Sequence, residues 1–128
     1  MQYVDLVAIA AVFQFLCFGA MTGLARRKSG LKAPKVTGDE SFERMYRVQM
    51  NTLEMLVAFM PALFIASKYW PPELTASLGA VYIIGRLIYW RAFVTKPASR
   101  GLGFKLTITP IALLIFLTCL GVFMSLIE

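Results

Sequence analysis

Four long apolar runs limit what this chain can fold into. They cover about 4–24, 42–68, 74–94 and 106–127, and each is close to the ~20 residues that a helix needs to cross a bilayer. In lipid every backbone N–H and C=O must be bonded within the protein, so only helices and closed barrels span membranes. The runs lack the period-two alternation of barrel strands. The sequence therefore predicts an all-α integral membrane four-helix bundle with up-down topology, forming one domain over 1–128.

Composition and charge agree with a membrane protein. The chain is 59% hydrophobic with a mean hydropathy of +0.70, against roughly 45–50% apolar residues in soluble domains. The net charge of +6 would suit nucleic acid, but the basic residues flank the apolar runs and form no soluble basic face, so no nucleic-acid partner is expected. Histidine is absent, and Cys17 and Cys119 lie inside apolar runs. Neither a metal site nor a disulfide framework is therefore expected.

The distribution of lysine and arginine predicts the orientation in the membrane. Eleven of the 13 basic residues lie in or beside the first and third linkers. By the positive-inside rule these linkers are cytoplasmic, and both termini are outside or lumenal. Tyr3, Tyr69 and Trp70 would then mark the outer interface and Trp90 the inner one. No basic region precedes the first run, which carries Asp5, so we predict a membrane helix there and not a signal peptide. The host membrane would be a bacterial inner membrane or the endoplasmic reticulum.

Two polar stripes interrupt the apolar runs at the helical spacing i, i+4, i+7: Arg47, Asn51 and Glu54 in the second run, and Tyr82, Arg86 and Tyr89 in the third. A charged side chain deep in a bilayer costs about 2.5–3.5 kcal/mol on insertion scales. We therefore predict that Glu54 and Arg86 face the protein interior and that the stripes line a pocket open to the cytoplasm. The alternative is that Arg86 pairs with Glu54 or Asn51 and serves only to hold the bundle together.

The polar groups near this end suit a small ligand with two carboxylates and one ammonium. Four arginines offer fork-shaped donors for carboxylates: Arg26, Arg27, Arg47 and Arg100. Glu54 is a partner for an ammonium, and Tyr89, Gln49 and Asn51 add hydrogen bonds. Glutathione is such a zwitterion. The spacing alone does not select it over other anionic ligands.

The segment GDESFERMYRVQMNTLE, residues 38–54, resembles the signature region of the MAPEG family, the membrane-associated proteins in eicosanoid and glutathione metabolism. The resemblance covers nearly the whole chain and includes ARRK at the end of the first run, VYIIGRLIY at 81–89, and Arg100. It implies a homotrimer of four-helix subunits. It also implies that glutathione, the co-substrate, binds at each subunit interface near the cytoplasmic face.

The resemblance further implies roles for single residues. One subunit would hold glutathione through a set of five: Arg47, Asn51, Glu54, Tyr89 and Arg100. Arg26 and Gln49 would reach in from the neighbour. Arg100 would stabilise the thiolate, and Arg27 would assist at the electrophile. Tyr82, Arg86 and Phe93 are secondary candidates. Met55 and Phe93 stand where the eicosanoid branch has tyrosines, so leukotriene synthesis is not the expected reaction.

The expected function is that of a membrane-bound glutathione transferase acting on lipophilic electrophiles, with glutathione-dependent reduction of lipid hydroperoxides as a second reaction. Glutathione, these lipophilic substrates and membrane lipids are the expected partners. One alternative is a non-catalytic lipid-binding or scaffold member of the same family. A third hypothesis is a small multidrug transporter that uses Glu54 as its proton site. The flanking arginines disfavour this hypothesis, because they would repel cationic drugs. The GLGF segment at 101–104 is predicted to be a turn.

Overall fold

The computed structural model describes residues 1–128 as four α-helices and one short 3₁₀ helix. These are α1 (Gln2–Ser29), α2 (Glu40–Tyr69), α3 (Pro72–Thr95), the 3₁₀ helix (Pro97–Ser99) and α4 (Gly101–Ile127). Each of the four α-helices is long and apolar enough to cross a membrane, and the chain contains no strand. The all-α membrane four-helix bundle predicted from the apolar runs is confirmed.

The helix limits follow from residues that cap or break helices. Gly30, just after α1, has φ 74°, the left-handed conformation that ends many helices. Asp39 caps α2, since its side chain accepts a hydrogen bond of 2.9 Å from the backbone N–H of Phe42. Pro71 follows α2, and Pro72 begins α3, where its missing N–H costs nothing. The first linker and the α2–α3 turn are therefore fixed by local sequence.

The prediction of a turn at GLGF was wrong. Gly101 begins α4, and Gly103 lies in its first turn. A Cβ at Gly103 would lie 2.4 Å from the backbone nitrogen of Tyr89, so the absence of a side chain allows α4 to approach the α3 backbone here. Because the helix begins at Gly101, five residues before the apolar run, Pro110 lies in its third turn.

Small residues bring α4 close to its neighbours along its length. A Cβ at Gly85 would lie 2.6 Å from the Leu106 carbonyl carbon, and a Cβ at Gly121 would lie 2.6 Å from the Tyr69 side chain. Close approach over glycine is the usual packing mode of membrane helices, because lipid supplies no hydrophobic drive for helices to associate. The Gly85 contact holds α4 against α3, and the Gly121 contact holds α4 against the end of α2.

The outer surface of the bundle is apolar. On α1, Leu6, Ile9, Phe13 and Leu16 are each more than 60% exposed. Their spacing of three and four residues places them on one helical face. Cys17 and Cys119 are free thiols. A face of this kind is suited to contact with lipid or with another membrane helix.

Gly85→Ala is expected to destabilise the bundle by about 1–3 kcal/mol, the usual range for overpacking a tight contact. The added methyl group would meet the α4 backbone, which cannot give way as a flexible side chain can. The measurement is the thermal unfolding midpoint of the detergent-purified protein.

Gly23→Ala is the matched control, since Gly23 lies within α1 and a Cβ there has no heavy atom within 4 Å. That variant is expected to be unchanged or slightly stabilised by the better helix propensity of alanine. Equal unfolding midpoints for the two variants would contradict a tight α3–α4 contact at Gly85.

Candidate functional site

The first polar stripe carries an ion pair on α2. Arg47 Nη1 donates to Glu54 Oε1 at 3.1 Å, and both side chains are about half exposed, at 51% and 49%. Arg47 and Glu54 therefore share a helical face, as their spacing predicted, whereas Asn51, the third residue of the predicted stripe, is buried. Within one subunit, however, this face looks outward, so the prediction that Glu54 faces the bundle interior was wrong. The inward positions of α2 at this depth are taken by Asn51 and Thr52, which are both buried.

Arg86 lies in the interior, as predicted, and has no exposed surface. Its Nη2 donates to Thr52 Oγ1 on α2 at 2.8 Å, and its Nη1 to Thr107 Oγ1 on α4 at 3.4 Å. The alternative that Arg86 pairs with Glu54 or Asn51 was wrong. The guanidinium is instead held by neutral hydroxyl groups from two neighbouring helices.

Tyr89 lies one turn further along α3 and is only 4% exposed. The Arg86 guanidinium carbon is 4.4 Å from the centroid of its ring, and the ring stacks with that of Phe93 at 5.5 Å. The backbone of α4 at Gly103 packs against the backbone and Cβ of Tyr89. The ring of Tyr89 therefore lies between a cation and a second aromatic ring, and its backbone lies against the start of α4.

Charged side chains from three helices converge on Tyr89. Four of them act electrostatically on its phenol: Arg86, Arg47, Arg100 and Glu54. Three cations and one carboxylate give this group a net charge of +2. The structure thus brings together residues of α2, α3 and the start of α4 that the sequence assigned to one site, with a charge balance that favours an anionic ligand.

Asn51 and Arg100, both of the predicted set, have polar groups with few or no partners. Asn51 is buried, and its Oδ1 has no hydrogen-bond partner. Arg100, at the exposed start of α4, donates only to the carbonyl of Pro97 at 3.0 Å. A buried acceptor without a partner costs free energy that a ligand donor or a water molecule can recover.

Arg26, Arg27 and Gln49 are not assembled with this group in one subunit. The Arg26 guanidinium lies 4.5 Å from the centroid of the Phe42 ring and donates to a backbone carbonyl in the first linker. Arg27 is exposed. Gln49 packs beside Gly19 of α1, and the two-residue step from Arg47 turns it by about 200° around α2. These three residues therefore lie apart from the charged group around Tyr89 within this chain.

The pocket predicted between the two stripes is not formed by one subunit. A groove of about 570 Å³ does open between the ends of α1, α2 and α3. Its lining combines polar and apolar residues: Met21, Leu24, Ala25, Lys28, Ser29, Asp39, Ser41, Met45, Trp90 and Val94. None of the predicted glutathione-binding residues is among them. Of the charged residues around Tyr89, Arg47, Glu54 and Arg100 lie at the surface of the bundle, whereas Arg86 is buried.

Sequence reasoning missed three residues that build the site. Arg44 donates to the carbonyls of Val94 and Thr95 at 3.2 and 3.1 Å, so it fastens the start of α2 to the end of α3. Thr52 and Thr107 supply the acceptors for Arg86. Arg44 was visible as the arginine of FER, but single threonines in apolar runs give no signal above that of ordinary helix packing.

Comparison with known proteins gives a consistent picture. The model of the MAPEG family matches residues 4–120. An uncharacterized protein of Synechocystis is 40% identical over 101 residues, which cover 79% of this chain and 74% of that protein. Human microsomal glutathione S-transferase 2 is 34% identical over 122 residues, 95% of this chain and 83% of the human protein. Bovine leukotriene C4 synthase is 31% identical over 97 residues, 76% and 65% of the two chains.

Proposed function

The chain belongs to the MAPEG family, and on that premise we propose that it is a membrane-bound glutathione transferase. It would join the sulfur of glutathione to lipophilic electrophiles that arrive from the bilayer. The observation that carries this proposal is the convergence of Arg47, Arg86, Arg100 and Glu54 on the Tyr89 phenol. A net charge of +2 with a single carboxylate complements a peptide with two carboxylates, one ammonium and a thiol.

The residue roles divide between holding glutathione and activating it. Arg47 would bind a carboxylate through its planar fork, and Glu54 the ammonium. The Asn51 amide group and the Tyr89 hydroxyl would bind polar groups of the peptide. Arg26 and Gln49 would complete the site from the neighbouring subunit.

Arg100 would lower the pKa of the glutathione thiol. A free thiol of pKa about 8.5 is mostly protonated at neutral pH, and a nearby cation favours the thiolate. The thiolate attacks the electrophilic carbon, a C–S bond forms, and the leaving group departs with its bonding electrons while Arg27 offsets the developing charge. With a lipid hydroperoxide, two glutathione molecules would give the disulfide, an alcohol and water. No histidine is needed.

Assembly as a homotrimer is part of this proposal. Glu54 lies 14 residues after the first residue of α2, which places it about 21 Å along a helix of 30 residues. A half-exposed ion pair at that depth would be costly against lipid. A neighbouring subunit would cover it and bring Arg26, Arg27 and Gln49 to the site. The distribution of basic residues supports a site that faces the cytoplasm, with both termini on the other side.

The test is stopped-flow absorbance at the thiolate band after mixing detergent-purified protein with glutathione, followed by product analysis with a model electrophile. We expect a thiolate signal at neutral pH and a conjugate in which glutathione is joined through sulfur. S-methylglutathione, which has no thiol, is the matched control and should bind without the signal. Binding of glutathione by calorimetry without a thiolate signal would favour the scaffold alternative. Absence of binding would refute the proposed function.

A further inference from the structure

We propose that Arg86 is a positioning residue of this site. Its guanidinium contacts the Tyr89 ring and holds that ring in place. It also supplies an unpaired positive charge that favours the thiolate form of bound glutathione. It does so without contacting glutathione, because its side chain has no exposed surface. This inference rests on the proposed function and assigns a role to a buried residue that the binding set does not include.

Arg86 forms no ion pair, and the carboxylate that acts on it, Glu54 of α2, lies beyond ion-pair distance and is paired with Arg47. The chain contains two ion pairs within 4.0 Å, Arg44–Glu40 and Arg47–Glu54, and neither includes Arg86. Its partners are the hydroxyls of Thr52 and Thr107. An arginine stays protonated in proteins, so a full positive charge persists inside the bundle. In this apolar setting it is screened far less than a charge on the surface.

The two threonines are oriented to accept from the guanidinium. Thr52 Oγ1 donates to the Val48 carbonyl at 2.7 Å, and Thr107 Oγ1 donates to the Gly103 carbonyl at 2.8 Å. Each hydroxyl has one hydrogen, which is directed to its own helix, so its lone pairs are left for Arg86. The cation is thus fixed between α2 and α4 without being neutralised.

Helix adhesion alone does not account for this arrangement. Arg86 Nε and the buried Tyr82 hydroxyl have no hydrogen-bond partner, so the polar cluster is only partly satisfied. Replacing a buried charge by a well-packed apolar residue is often neutral or stabilising. A bundle that needed only cohesion would be served at least as well by an apolar side chain at this position. We therefore infer that the positive charge of Arg86 has a function other than packing of the core.

The contact between Arg86 and Tyr89 connects the buried charge to the site. The guanidinium carbon lies 4.4 Å from the Tyr89 ring centroid. The other charged groups that face this phenol are Arg47 and Glu54 from α2 and Arg100 from the start of α4, while Tyr82 of α3 lies beside Arg86. Arg47 and Glu54 offset one another as an ion pair. This leaves Arg86 and Arg100 as the two unpaired cations, one fixed in the core and one exposed on the surface.

The experiment follows the pH dependence of the thiolate absorbance in full-length protein, alongside glutathione affinity by calorimetry. Arg86→Gln should raise the apparent pKa of bound glutathione by about one unit, a tenfold loss of thiolate at pH values below both midpoints. At those pH values, where the bound peptide is the thiol, its Kd for glutathione should change less than about threefold, since no direct contact is lost. Arg86→Lys, which keeps the charge, should restore most of the shift. Arg91→Gln removes an exposed charge from the same helix and should match the wild type.

Thr52→Asp tests the same inference if Arg86→Gln does not fold. It places a carboxylate where Arg86 Nη2 already donates, so the bond is retained and the charge is cancelled. The same rise of about one unit is expected. Unchanged thiolate midpoints in the folded variants would overturn the role of Arg86, as would affinity and thiolate signal falling by equal factors. Absence of glutathione binding by the wild type would instead overturn the proposed function, and this inference with it.

Discussion

Arg100→Ala is expected to lower turnover at neutral pH by about 10²–10³-fold, the usual effect of removing one group that stabilises developing negative charge. Glutathione affinity should fall less than about threefold at a pH low enough that the bound peptide is the thiol in both proteins. The reason for this split is that Arg100 is an exposed side chain at the start of α4 whose one hydrogen bond is to the carbonyl of Pro97. It is therefore free to turn to the sulfur, and its charge already acts on Tyr89.

The measurement for Arg100→Ala is steady-state turnover with a model electrophile together with calorimetric affinity for glutathione. Lys105→Ala is the matched control, because it removes an exposed cation from the first turns of the same helix. It should leave both quantities unchanged. Equal losses of turnover and affinity in Arg100→Ala would assign Arg100 to ground-state binding and contradict a role in thiolate stabilisation.

Arg47→Ala is expected to weaken glutathione binding by about 30-fold, or about 2 kcal/mol, the lower end of the cost of truncating one member of a hydrogen-bonded charge pair. The guanidinium would no longer bind a carboxylate of the peptide, and Glu54 would lose the partner that it now holds at 3.1 Å. Turnover at saturating glutathione should change much less, because the thiolate is stabilised elsewhere.

Calorimetry on Arg47→Ala and Arg47→Lys distinguishes charge from geometry. Lysine keeps the charge but not the planar fork, so its affinity should fall between those of the wild type and the alanine variant. Arg91→Ala again controls for the loss of one basic residue from the cytoplasmic end. An unchanged affinity in Arg47→Ala would remove Arg47 from the site.

The position of the polar stripe on α2 was predicted only in part. The spacing of Arg47, Asn51 and Glu54 predicted a shared face of α2, because helical periodicity is a local property. The prediction failed for the direction of that face. The free-energy cost of exposing a charge to lipid indicates that protein must cover the charge. It does not indicate whether the same subunit or a neighbouring subunit covers it.

Arg86 is a second residue whose arrangement was predicted only in part. Burial cost predicted correctly that it lies inside, yet its partners could not be identified from sequence. Thr52 and Thr107 lie 34 and 21 residues away along the chain. Which threonine meets the guanidinium depends on the rotation and depth of α2 and α4 relative to α3, and no local pattern encodes these quantities.

Four membrane helices with a cation-rich polar segment at one end could be predicted without a structure. Apolar length, capping residues and the cost of a buried charge each act within one helix or at one membrane surface. The folded chain was needed to see that Arg47 and Glu54 face outward, that Arg86 is bound by two threonines, and that α4 begins at Gly101. These outcomes depend on the close approach of helices, as where Gly103 meets the backbone of Tyr89. Such contacts are set by the packing of all four helices at once.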